Sequence, residues 1–175
     1  MKRHPLLFGL FILGIGLLLP GVAFSASANV LLIVSDDADP DPTDLQLAAF
    51  LTTSGLTVYY ANDNDSDYTD DIAANSIDVV YVSASSSSSA TGNEITNLAV
   101  GVVEANVGDW NEINLSNNDD EHPGTDIEIV NNSHYITSGL SLGNVSVYSP
   151  SAQIGYGETL GSGAQVLARN PSDAS

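Results

Sequence analysis

Asn29 to Val34 reads NVLLIV, an apolar run without a charge that is cut off by Ser35-Asp36-Asp37. A run of this length, partly β-branched, suits a strand buried on both faces, as in parallel sheets covered by helices. After the turn Asp39-Pro40-Asp41-Pro42, Thr43 and Gln46 have capping-box spacing, and Leu47, Phe50 and Leu51 recur on one face of a helix. Gly55 stands where a C′ glycine stops such a helix. Thr57 to Ala61 (TVYYA) is the next strand, a loop full of Asp and Asn follows, and Ile77 to Ser83 (IDVVYVS) is the third strand. Strand, helix and strand in that order imply a right-handed crossover and parallel neighbours.

A serine run from Ser85 to Ser89, a second capping pair at Thr91 and Glu94, and a short helix to Leu98 lead into a fourth strand, Val100 to Val103, ending at Glu104. Beyond Gly108 the pattern weakens. Asp126 to Val130 and Asn144 to Tyr148 alternate like half-buried strands, and Ala164 to Ala168 reads as another core strand. No helix follows it before Ser175, so the expectation is a fragment, or the first domain of a longer exported protein. The predicted architecture for residues 29–175 is α/β, three-layered and doubly wound, with a mainly parallel sheet truncated at its C-terminal end.

Residues 1–28 are set apart from this domain. Lys2 and Arg3, an apolar stretch from Leu6 to Leu19, Pro20, and the small-residue site Ala26-Ser27-Ala28 are the parts of a secretory signal peptide, with the mature chain starting near Asn29. An uncleaved anchor is the alternative, but the stretch is shorter than the roughly 20 apolar residues a bilayer demands. Either topology places the domain outside the cytoplasm: secreted, periplasmic or on the cell surface.

Without Lys2 and Arg3 the only cation is Arg169, against 22 acids, a net charge of −21. Such a surface repels phosphate backbones and anionic headgroups, which argues against nucleic acid and against membrane association apart from the leader. It suits a protein kept soluble at high ionic strength. The chain has no cysteine, so neither a disulfide nor a thiol nucleophile is available.

With these residues placed, the chain resembles the flavodoxin-like domains of the class I glutamine amidotransferase-like superfamily, in particular its ThuA-like branch in secreted bacterial proteins. The resemblance rests on VLLIVSDD, SGLTVYYA and DVVYVS, and on SHYITSGL, where Tyr135 replaces the usual proline after His134. It covers most of the mature chain. It implies a flavodoxin-like fold, but the family's Gly-x-Cys-x-Gly elbow is absent: the corresponding strand runs Gly101-Val102-Val103-Glu104-Ala105-Asn106. With neither Cys nor Ser at that turn, the acyl-enzyme chemistry of the catalytic members has no nucleophile.

Other site chemistries are incomplete in the same way. Asp36 and Asp37 resemble the acidic pair of response-regulator receivers, but the third strand ends in Ser83 rather than Asp, and the mature chain has no lysine. A flavin phosphate loop is excluded by five aspartates between Ser35 and Asp44. Asp63 to Asp67 has the spacing of a calcium loop, yet Tyr68 replaces the turn glycine and Ala74 the bidentate acid, so a solvated connection is expected. No Gly-x-Ser-x-Gly accompanies His122 or His134, and Gly155-Tyr156-Gly157 lacks the flanking strand and helix of a nucleotide loop.

Two site expectations remain. Asp36, Asp37 and Glu104 end strands on the edge where open α/β sheets bind ligands, and their oxygens suit Ca²⁺ or Mg²⁺; solvated loop carboxylates are the plainer alternative. Ser85 offers a hydroxyl at the same edge, in what reads as a flexible loop, and His134 is a loop residue that suits a backbone hydrogen bond. Trp110, Tyr148 and Tyr156 suit core packing, or stacking on a carbohydrate. The expected function is a non-catalytic module, with no cofactor, whose partner is a carbohydrate or another domain of the same protein. The alternative is a divalent-cation-dependent hydrolase or carbohydrate-processing enzyme built on the strand-end acids.

Overall fold

The computed structural model describes residues 27–106, 108, 110–116, 119–157 and 159–173; the leader, as far as residue 26, lies outside them. The opening apolar run becomes β1 (Asn29–Val34), paired in parallel with β2 (Thr57–Asn62) on one side and β3 (Val79–Val82) on the other. A fourth strand, β4 (Gly101–Glu104), runs parallel to β3, so the order is β2-β1-β3-β4. β1 has a neighbour on each edge and cover on each face, and Leu31 to Val34 are fully buried. The four segments expected side by side in one direction are there; β3 and β4 start a little later than their apolar runs.

Register assigns the faces. Leu31 lies beside Tyr59 and Val80, and Leu32 beside Tyr60 and Tyr81. Because successive strand residues point to opposite faces, Leu31, Ile33, Val80 and Val82 join one core with Ile77, Tyr68 and Ile95. Leu32 and Val34 join the other, with Ala48.

Helix α1 (Pro42–Thr53) carries Ala48 and covers that second face. Its cap is Asp41 rather than the expected Thr43: Pro42 brings the φ of a first helical residue, and the Asp41 carboxylate accepts the Thr43 N–H at 2.8 Å. The buried stripe is Asp44, Ala48 and Leu51, with Leu47 and Phe50 half-buried beside it. Gly55 follows with φ +90°, a conformation that costs a side-chain-bearing residue.

Helix α2 (Thr69–Asn75) forms where only a loop was expected. The aspartates that suggest a loop start the helix instead: Asp67 accepts the Thr69 N–H at 2.7 Å, and Asp70 and Asp71 occupy the first turn. Ile72 then packs against the first core. A single turn, α3 (Ser88–Thr91), and a 3-10 turn (Gly92–Ile95) stand where one short helix to Leu98 was expected.

After β4 the architecture changes. β5 (Asp119–Gly124) pairs with β8 (Ala152–Gly157), and β6 (Asp126–Ile129) lies between β7 (Gly143–Ser146) and β9 (Ala168–Arg169), all antiparallel. The expected strands at Asp126 and Asn144 exist, but they do not extend the parallel sheet. Of Ala164 to Ala168 only Ala168 is in a strand, and DDEHPG, a stretch whose Pro and Gly suit a turn, is β5. Half-polar alternation such as DIEI needs cover on one face only, which antiparallel ribbons tolerate and parallel sheets do not. No helix among the described residues is long and apolar enough to cross a membrane.

Candidate functional site

In an open α/β sheet the crevice for ligands lies beyond the carboxyl ends of the strands, where the order reverses and adjacent connections diverge. Here the chain leaves β1 for β2 on one side and returns to β3 on the other. A cleft of about 280 Å³ opens at that position, bounded by the first turns of α1, the end of β3 with Ser83 to Ser85, and Ala105 after β4.

Its deepest polar group is Asp44, which is 1% exposed. Asp44 sits on the stripe of α1 that faces the sheet, one turn before Ala48, and so is carried inward with the apolar residues. The Ser83 hydroxyl donates to its Oδ1, and the Ser85 hydroxyl donates to its Oδ2 at 2.7 Å. Hydrogen bonds to a carboxylate contribute about 1.5–3 kcal/mol each, and α1's N-terminal turn adds a favourable dipole. Asp44 thereby ties helix α1 to a loop some forty residues away.

A second buried carboxylate does the same from β2. Asp63, 2% exposed, accepts the Ser87 N–H at 2.7 Å and an Asn64 amide N–H at 2.7 Å. The Ser86 hydroxyl donates to the Ser83 carbonyl, and the Asn106 amide donates to the Ser86 carbonyl. The serine run is therefore pinned from three sides, by α1, by the end of β2 and by the end of β4. Asp63 is not the solvated residue expected of a polar connection.

Tyr81 faces α1 from the middle of β3 and forms part of the cleft wall. Burial raises its hydroxyl above the usual tyrosine range, and Glu104, Tyr148 and Asp44 push the same way. Burial, with Asp44 adding to it, also raises Tyr60, and burial alone raises Tyr148. These hydroxyls keep their protons at neutral pH and serve as neutral donors and acceptors.

Of the five residues expected at a site, only Ser85 lines this cleft. Asp36 accepts the N–H groups of Ala38 and Asp39, and Asp37 accepts the Asn62 amide at 3.4 Å. Glu104 accepts the Asn106 N–H at 2.7 Å. Among the described residues no three or more His, Asp or Glu side chains form a group able to hold a metal ion. His134 lies in the β6–β7 loop, where its Nδ1 accepts the Ile136 N–H at 3.3 Å and its ring packs on Tyr135. His122 is in β5 opposite Ile154, and neither histidine lines the cleft.

Chemically, the arrangement offers hydroxyls, an amide and an aromatic plane around carboxylates that already hold protein donors. Ser83 and Ser85 give their protons to a carboxylate with no imidazole between, which is not an activated nucleophile. Sequence reasoning passed over Asp44 and set Asp63 aside as part of a solvated loop. Asp44 was legible as an acid in register with Ala48 and Leu51, and Asp63 as another acid ending a strand. No protein-family model, no curated protein and no solved structure matches the chain.

Proposed function

We propose that this chain is a flavodoxin-like, non-catalytic module of an exported or cell-surface protein, allied to the ThuA-like branch of the glutamine amidotransferase-like domains, with a binding or bracing role in a larger protein. The strand order β2-β1-β3-β4 is that of flavodoxin-like sheets, which supports the finer fold assignment. The leader, with its cations, apolar core and small-residue site, supports export.

One observation carries the non-catalytic reading: both oxygens of the cleft's buried carboxylate are engaged by Ser83 and Ser85 hydroxyls. A general base or nucleophile is strongest when its carboxylate is free, whereas each Asp44 oxygen already holds a serine proton, which lowers its basicity and fastens a loop. The test is turnover. The purified mature chain is incubated with chromogenic ester, amide and glycoside substrates, with and without Ca²⁺ or Mg²⁺. The module reading predicts no rate above buffer. A rate that Asp44→Asn abolishes while the melting temperature is kept overturns it.

A further inference from the structure

Resting on the module reading and giving its cleft a ligand class, we infer that the crevice between α1 and the β3 end binds a small neutral polyhydroxylated molecule about the size of one sugar ring. The volume of about 280 Å³ lies just below the usual range for ligand pockets, roughly 300–1,000 Å³, and suits a ligand no larger than a single ring. Leu47, Ala84 and Ala105 supply apolar wall, and Tyr81 supplies an aromatic plane against which the C–H face of a sugar packs. Gln46 supplies an amide that both donates and accepts, and the Thr43 and Ser85 hydroxyls, whose protons go to Asp41 and Asp44, keep lone pairs that accept from a polyol.

Charge removes the competing ligand classes. The open N-terminus of a helix at this crevice would attract a phosphate, but α1 is capped by its own Asp41 carboxylate and carries Asp44 in its first turn. An anionic ligand would meet two carboxylates where it needs free N–H groups. A divalent cation would meet the same two carboxylates, but both already hold protein donors: Asp44 the Ser83 and Ser85 hydroxyls, Asp41 the Thr43 N–H and hydroxyl. A neutral ligand meets neither obstacle. Burial keeps the Tyr81 hydroxyl protonated, so it adds no further charge beside the two carboxylates.

The site is unlike the aromatics that the sequence singles out. Trp110, Tyr148 and Tyr156 do not line the cleft, whereas Tyr81 is hidden in a strand that reads as core.

The test is calorimetric titration of the mature chain with glucose, galactose, mannose and N-acetylglucosamine, with glucose 6-phosphate and CaCl2 as charged comparators. At least one neutral sugar is expected to saturate, with glucose 6-phosphate at least about tenfold weaker. Tyr81→Ala is expected to weaken that sugar about tenfold or more. Gln46 is exposed on α1, so Gln46→Ala keeps the fold and should still weaken binding. Saturation by none of the neutral sugars, equal binding of the phosphate ester, or wild-type titration of Gln46→Ala overturns the inference. Turnover of a bound sugar would instead overturn the non-catalytic reading and leave the site standing.

Discussion

Residues 29–104 and 119–169 use strands of similar length, yet they hold themselves together differently. Among the described residues, every buried hydrophobic except Ile129 lies between Val30 and Ile95. The later half exposes Tyr135 (73%), Leu142 (61%) and Leu160 (45%), against Leu45 (51%) and Val103 (46%) in the first. In the central strand β1 successive residues meet partners on two covered faces, so both phases of the strand period are apolar. In the second half ribbons of two or three strands have little to bury, and short ribbons without cover are marginal in water. The first half also carries more of the acids: 13 of the 22 lie in residues 29–104 and six in 119–169. The contrast is that of a scaffold with two cores, whose rim acids have been turned inward as ties, and an attached set of ribbons held mainly by backbone pairing.

The largest expected effect that separates the halves is truncation of a fully buried residue on each side. Ile33→Ala should cost about 2–5 kcal/mol of global stability in urea unfolding. Ile129→Ala, the same deletion at a buried site of the later half, should move the global midpoint by less than about 1 kcal/mol, because local opening absorbs it. Equal costs would break the contrast.

Next in size is the tie from α1. Asp44→Ala leaves the Ser83 and Ser85 hydroxyls without their acceptor, and should lower stability by about 3 kcal/mol in thermal or urea melts.

A smaller, pH-dependent effect comes from Tyr81. Its hydroxyl is raised in the folded state, so above the ordinary tyrosine value of about 10 the unfolded chain loses this proton first. Stability is therefore full below about pH 10 and falls as pH rises through the folded value. Melting curves from pH 8 to 11 should show that fall, reduced in Tyr81→Phe.

The smallest effect belongs to the later half. Arg169 donates from Nε to Glu128 at 2.7 Å, joining β9 to β6, with both side chains partly exposed. Arg169→Ala should cost less than about 0.5 kcal/mol in the same melts and vanish in high salt.

The parallel half was legible in the sequence because its signals are local and redundant. NVLLIV, TVYYA and VVYV are each apolar on both phases, and Gly55 marks its turn without help from distant residues. The later half was half-legible. DIEI and NVS announce strands by alternation, but alternation does not say which strand each one meets, and β5 is hidden in DDEHPG because His122 and Pro123 have no strand preference. The site was the least legible part. Asp44 stands out only once Ser83 and Ser85, far along the chain, are brought beneath α1, and no spacing rule relates those positions. Asp36 and Asp37 drew attention as strand-end acids, while the acid that matters to the cleft was seven residues past Asp37, in the first turn of α1.

Native-state hydrogen exchange tests the division most directly. The amides of Leu31 to Val34 and Val80 to Val82 should exchange slowest, at the free energy of global unfolding, and those of β6, β7 and β8 should exchange by local opening at clearly lower free energies. Protection in β6 to β8 equal to or above that of β1 would contradict the account.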